Sequence, residues 1–115
     1  MNKYHPYLCH VVIEAWTVAD SQIIAIEFFY ELIKELGLTV LNESTYTFPN
    51  DAKTIVCVLS ESHVSLHCWP ELNYFHVDLL TCTPDLHADH IEKSVEKIIN
   101  TFGSHIEYSF KRIEY

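Results

Sequence analysis

Basic residues are scarce in this chain: 7 lysines and arginines stand against 16 acidic residues, a formal charge of −9 over 115 residues. Nucleic acid and anionic membrane surfaces both need a basic face, so neither is expected as a partner. A cationic small molecule is not repelled. Long apolar runs are missing too. The longest, around Ile23 to Tyr30, is interrupted by Glu27 and is far too short to span a bilayer. The first residues, Met-Asn-Lys-Tyr-His-Pro, hold no signal-peptide core, which makes the cytoplasm the expected compartment. Four cysteines (Cys9, Cys57, Cys68, Cys82) show no C-x-x-C spacing and no disulfide framework, in keeping with a reducing environment. Glycine is limited to Gly37 and Gly103, each placed where a helix should end. Repeats and low-complexity tracts are absent.

What is present fits one compact domain, residues 1–115. Hydrophobic residues make up 49% and charged residues 20%, a balance that disfavours disorder. After a polar lead-in, Tyr7–Trp16 alternates Cys9, Val11, Ile13 and Ala15 against a partly polar second face and reads as a strand. Asp20 or Ser21 can cap a helix running to about Leu36, with Ile26, Phe29, Ile33 and Leu36 as its apolar stripe, widened by Ile23 and Tyr30. Gly37 is placed to close that helix in a left-handed conformation. Leu38–Phe48 is a second strand and Pro49-Asn50-Asp51 a turn. Lys53–Ser60 is nearly all apolar and should be buried on both faces. A break is expected near Glu61–His63. Val64–Trp69 and Tyr74–Cys82 are two further strands. Thr83-Pro84-Asp85 resembles a helix start, with cap, proline and acid in order. Ile91, Val95, Ile98 and Phe102 form the second helix's stripe, Gly103 ends it, and Ser104–Glu114 is a last strand. Glu92, Glu96, Lys93 and Lys97 read as a solvated helix face, with His87 and His90 on the surface.

The predicted order is β-α-β-β-β-β-α-β. Two helices can cover only one face of a sheet of about six strands. The fold class is therefore α+β: a two-layer α/β sandwich on a mainly antiparallel sheet. The second face needs a cover, and in so short a chain a second copy is the obvious one.

One stretch breaks this apolar logic. Leu59–Glu71 crowds serines, histidines, a cysteine and glutamates between strands. Polar groups at such a place cost free energy unless they are paired. The run Ser60-Glu61-Ser62-His63-Val64-Ser65-Leu66-His67-Cys68-Trp69-Pro70-Glu71, followed by Val77-Asp78-Leu79-Leu80-Thr81-Cys82, resembles the bacterial and archaeal form of S-adenosylmethionine decarboxylase. That family's pattern is ESH, a short gap, IHTWPE, then VD, two residues and TC. His10 falls in a first strand, where the family also has a histidine. The likeness covers nearly the whole chain.

The resemblance implies a proenzyme that cuts itself between Glu61 and Ser62, giving chains 1–61 and 62–115. Ser62 would attack the Glu61 carbonyl and convert the amide to an ester. β-Elimination and hydrolysis would then leave a pyruvoyl group at residue 62, a covalent carbonyl cofactor that forms a Schiff base with substrate. His67 matches the base of self-processing, assisted by a hydroxyl at Thr54. Cys82 matches the proton donor to the substrate carbon, and it is expected beside a catalytic imidazole. Phe48 matches an aromatic residue that stacks on adenine, and Glu61 is counted with it as a substrate contact. The implied product is decarboxylated S-adenosylmethionine, the aminopropyl donor for spermidine biosynthesis. The implied assembly is a homodimer with active sites near its interface.

Three departures from the family pattern reshape the pocket wall. Its glycine after the Phe48 region is absent, Cys68 replaces threonine or serine, and Thr83 replaces the glycine after the cysteine. They leave open a basic amino acid, arginine or ornithine, as substrate, and beyond that a non-catalytic binding relative. A zinc site is the competing chemistry, since His63 and His67 share a strand face and Cys82 or His76 could approach. That spacing is not a common zinc pattern, so no metal is expected. Cys9 and Cys57 read as buried small hydrophobes, Cys68 as either pocket wall or core, and Asp78 as a structural acceptor.

Overall fold

A computed structural model describes residues 3–103 and 105–115. The elements are β1 (Cys9–Trp16), α1 (Ser21–Glu35), β2 (Val40–Thr47), β3 (Lys53–Leu59), β4 (Ser62–Trp69), a 3-10 turn (Pro70–Leu72), β5 (Tyr74–Thr81), α2 (Ala88–Phe102) and β6 (Glu107–Ile113). The strands form one antiparallel sheet in the order β2-β3-β4-β5-β1-β6. The two-layer α+β sandwich expected from the sequence is the fold found.

Alternation builds the core. Cys9, Val11, Ile13 and Ala15 of β1, Val64, Leu66 and Cys68 of β4, and Phe75, Val77 and Leu79 of β5 all point to one side. There they meet Ala25, Phe28, Phe29, Leu32 and Ile33 of α1 and Ile91, Val95, Ile98 and Ile99 of α2. Phe28 packs tilted on Phe75 with ring centroids 5.6 Å apart. Ion pairs pin the helices. Arg112 of β6 donates to Asp89 (2.6 Å) and Glu92 (2.7 Å) of α2, and Lys97 reaches Glu35 of α1 at 2.8 Å. Two charges of the expected solvated face, Glu92 and Lys97, are thus tied to other elements.

Gly37 does close α1. At φ 65 it lies in the left-handed region, with its N–H on the Lys34 carbonyl and the Leu38 N–H on the Ile33 carbonyl. Those two bonds are the Schellman pattern.

Several expectations are corrected. The predicted α1 stripe holds at Phe29 and Ile33, which are buried, but it widens to the other side: Phe28 and Leu32 are buried, whereas Ile23 and Tyr30 face out. So many apolar residues surround this helix that spacing alone does not single out the buried side. Asp20 sits at the cap position, but with φ 53 and no side-chain cap bond. Thr83-Pro84-Asp85 does not open α2. It forms a turn, closed by the Leu86 N–H on the Thr83 carbonyl, and the helix begins at Ala88. Proline favours the second position of a turn as much as the first turn of a helix, so the same signature fits both. β4 begins at Ser62 rather than Val64. The predicted last strand begins later, at Glu107, and Ser104 lies outside the described residues. Finally, β3 is not buried on both faces: Val56 and Val58 are 40% and 48% exposed. Both helices lie on the other side of the sheet, and among the described residues no element covers this one.

Candidate active site

Ser60 and Glu61 form a two-residue connection between β3 and β4, with Leu59 and Ser62 as Cα partners across it. Such short hairpin loops normally use a left-handed residue within the loop, most often glycine or asparagine. Here neither Ser60 nor Glu61 has a positive φ. The positive angle falls instead on Ser62, at φ 147. For a residue bearing a Cβ that region is sparsely populated and costs on the order of 1–3 kcal/mol. Strain therefore sits at the Glu61–Ser62 junction.

The carbonyl before Ser62 is gripped. Glu61 O accepts the backbone N–H of Cys82 at 2.9 Å and the Cys82 thiol at 3.4 Å. Two donors converging on one carbonyl oxygen are what a developing oxyanion needs. The Glu61 side chain is held as well: it accepts the Thr39 N–H at 2.9 Å and the Ser60 hydroxyl at 2.8 Å. Burial opposes its ionisation, but those hydrogen bonds outweigh burial and hold the carboxyl below its usual range. Glu61 thus anchors the turn and borders a cleft of about 340 Å³ with Leu38, Thr83 and His90.

A second set of groups lies at the other end of the sheet. Phe48, Ala52, Thr54, His67, Cys68, Trp69 and Glu71 line a cleft of about 370 Å³. β3 and β4 place Thr54 opposite His67, and Thr54 Oγ1 lies 3.2 Å from His67 Nδ1. Burial lowers the His67 pKa, and the neighbouring His76 lowers it further, against a smaller opposing effect of Asp78. The imidazole therefore stays neutral, and able to take a proton, below the usual histidine range. Phe48 is half exposed at the cleft edge and packs edge-on against Tyr46, centroids 4.8 Å apart. Cys68 is both core and wall: it is buried, lines the cleft, and its thiol is pushed up to about 11 by burial. Glu71 also borders this cleft. Sequence reasoning gave it no role, although the Trp-Pro-Glu run and the turn it forms were the available signal.

The two sets do not meet within one chain. His67 stands five positions beyond Ser62 on β4, roughly 16 Å at about 3.3 Å per residue. Thr54 and Phe48 share the His67 end, whereas Cys82 and Glu61 share the Ser62 end. Within one chain Cys82 does not neighbour the His67 imidazole, nor Glu61 Phe48. Nearness in sequence along an extended strand is distance in space.

His10, Asp78 and His63 occupy the uncovered face between the two ends. His10 Nε2 lies 3.1 Å from Asp78 and Nδ1 lies 2.8 Å from the Tyr115 hydroxyl, while His63 stands 3.9 Å from Asp78. Asp78 is the structural acceptor expected. Cys9 and Cys57 are buried, and the Cys57 thiol is raised to about 11 by burial and by its bond to Glu43. His63, His67, His76 and Cys82 do not converge, and among the described residues no three potential metal-binding side chains cluster. No helix among them is long and apolar enough to cross a membrane.

Comparison with known proteins addresses the fold and the family. The fold is similar to the crystal structure of the adenosylmethionine decarboxylase from Aquifex aeolicus, with a TM-score of 0.64 and 23% identity over 93% of this chain and 91% of that one. The S-adenosylmethionine decarboxylase proenzyme of Methanococcus maripaludis strain S2 is 32% identical over 94 residues, 78% of this chain and 77% of its own. The S-adenosylmethionine decarboxylase proenzyme 2 of Bacillus anthracis is 34% identical, over 88% of this chain and 94% of its own. Residues 9–113 match the profile of the family described as S-adenosylmethionine decarboxylase, and with that match spanning nearly every element the chain belongs to this family.

Proposed function

We propose that this protein is a self-processing decarboxylase of S-adenosylmethionine, whose carbonyl cofactor is made from Ser62. The observation that carries the reading is the strained Ser62 backbone next to a Glu61 carbonyl held by two Cys82 donors. Attack by the Ser62 hydroxyl on that carbon forms a C–O bond and breaks the C–N bond, with the hydroxyl proton ending on nitrogen. Relief of strain favours the step and the Cys82 donors stabilise the oxyanion. Loss of the Cα proton to a base, release of the Glu61 carboxylate and addition of water then liberate ammonia and leave the pyruvoyl group at residue 62. The neutral His67 imidazole suits the base, with Thr54 fixing its ring.

That group would be held at the start of β4, where it supplies a carbonyl electrophile and an electron sink for the departing carboxylate. Cys82 then delivers one proton to the substrate carbon from the position its thiol already occupies. Phe48 offers an aromatic face to adenine, and Glu71 an acceptor at the same cleft.

Two chains complete the site. The uncovered sheet face exposes Trp16, Trp69, Val56, Val58 and Ile113, an apolar surface of the kind that marks an interface. A two-fold axis that crosses the strands would lay β4 of one chain antiparallel over β4 of its partner. The Phe48, Thr54 and His67 end of each then meets the Ser62 and Cys82 end of the other. Homodimerisation thus follows from the same separation that keeps one chain from acting alone.

Mass spectrometry of purified protein tests the reading: it should give fragments 1–61 and a pyruvoyl-blocked 62–115, with CO2 released from S-adenosylmethionine. An intact chain that never reacts with borohydride and an amine would refute it. Cys82→Ala should cleave slowly, because the backbone donor remains, yet be nearly inactive in turnover. Equal loss of cleavage and turnover would deny the separate roles. Phe48→Ala should leave cleavage unchanged and weaken S-adenosylmethionine binding by about 1–3 kcal/mol, by analogy with base stacking. An arginine or ornithine decarboxylase would lose little by that change, so competitive binding assays with each substrate separate the readings.

A further inference from the structure

Thr81 is 0% exposed, and among the described residues its hydroxyl makes no hydrogen bond of good geometry; the one side chain near enough to pair with it is the Cys9 thiol. Such a group costs free energy in any resting structure, so a position that keeps one invites an explanation. Apolar residues occupy the equivalent inward positions of β5, at Phe75, Val77 and Leu79. A valine would fit the same pleat without the unpaired oxygen.

The neighbours of Thr81 point to a use. In the sheet, Thr81 is the direct Cα partner of Ser62 on β4 and of Cys9 on β1. Directly opposed residues hold their Cβ atoms roughly 4.5–5.5 Å apart, a gap that one hydroxyl–hydroxyl bond spans. Cys9 is a buried thiol and a weak partner. The next residue, Cys82, carries the donors that hold the Glu61 carbonyl. The end of β5 and the residue after it therefore face both reacting groups of the Glu61–Ser62 bond: Cys82 holds the carbonyl, and Thr81 stands opposite the serine in the ladder.

We propose that Thr81 is a positioning residue for self-cleavage, whose hydroxyl accepts the Ser62 O–H as the serine turns to attack Glu61. This rests on the self-processing reading above. In that rotamer the Ser62 proton is directed to Thr81 Oγ1 and an oxygen lone pair faces the Glu61 carbon. The C–O bond forms, the C–N bond breaks, and the serine proton passes to the leaving nitrogen. Thr81 takes no part in the proton balance. The unpaired oxygen of the precursor gains its partner only along the reaction path, and interactions absent from the ground state are the ones that lower a barrier.

The experiment follows cleavage of fresh chains after cell-free synthesis is stopped, by denaturing gel, for wild type, Thr81→Val and Thr81→Ser. Thr81→Val should slow cleavage roughly tenfold, the loss of one neutral hydrogen bond, while Thr81→Ser stays close to wild type. A role in folding alone is tested on uncleavable chains: Ser62→Ala/Thr81→Val should melt no lower than Ser62→Ala, since it removes an unpaired buried oxygen. Wild-type cleavage with an equally fast Thr81→Val would overturn the role of Thr81 and leave self-processing standing. So would a slow Thr81→Val whose uncleavable form melts markedly lower. A wild-type chain that never cleaves would overturn self-processing itself, and the role of Thr81 with it.

Discussion

Ser62→Ala should stay whole and release no CO2. The alanine keeps the strained backbone and the gripped Glu61 carbonyl, but no oxygen remains to attack, and without cleavage no carbonyl cofactor forms. Both losses should be complete to the limit of detection on a denaturing gel and in a CO2-release assay, because no other hydroxyl is attached to the same junction. A second variant isolates the strain. Ser62→Gly is equally inert, but glycine accepts φ 147 freely, so its chain should resist denaturant better than Ser62→Ala by about 1–3 kcal/mol, less the added entropy of an unfolded glycine. If Ser62→Gly unfolded at a clearly lower denaturant concentration than Ser62→Ala, by the glycine entropy alone, strain would not be the stored driving force.

His67→Ala should also stay uncleaved on its own, and the informative result comes from mixing. Chains carrying Ser62→Ala lack the nucleophile but retain His67; chains carrying His67→Ala lack the base but retain Ser62. When the two are co-expressed, mixed pairs contain one site in which the Ser62 end of one chain faces the His67 end of the other. Cleavage should return there, and only the His67→Ala chain should be cut, since it alone has the serine. Distinct affinity tags on the two chains identify which one breaks. Failure to restore any cleavage would mean that His67 acts on its own chain. It would then have to reach Ser62 across five positions of β4.

Much of the scaffold could be read from residue order, and the reasons are local. Alternation in β1 named the buried side correctly because the strand pairs one apolar face with a mixed one. Gly37 named the end of α1 because only a residue without a Cβ closes a Schellman turn without strain. The stripe of α1 was read correctly at Phe29 and Ile33, but it was widened to the wrong side because Ile23 and Tyr30 compete with Phe28 and Leu32 at helical spacing. Thr83-Pro84-Asp85 misled because turn and helix start share a vocabulary. The site was legible as a set of residue types, Ser62, His67, Cys82, Thr54 and Phe48, but not as an arrangement. A motif written on one strand hides how far its members are spread along it. The exposed β3 valines carried the missing information, since a face fit for burial that stays bare in one chain is what the proposed pairing would cover.

The strand order decides what the proposed cut before Ser62 would leave behind. β2 and β3 precede Ser62 and β4 and β5 follow it, yet β1, from the early part of the chain, lies between β5 and β6 from the late part. The two pieces are interlaced: neither can drift away without tearing ladder bonds on both sides of β1. Severing the backbone should therefore leave the native shape intact while removing the tether that brought its halves together. Once melted, the severed protein must reassemble from two separate molecules, so its recovery should depend on dilution in a way that the whole precursor's does not.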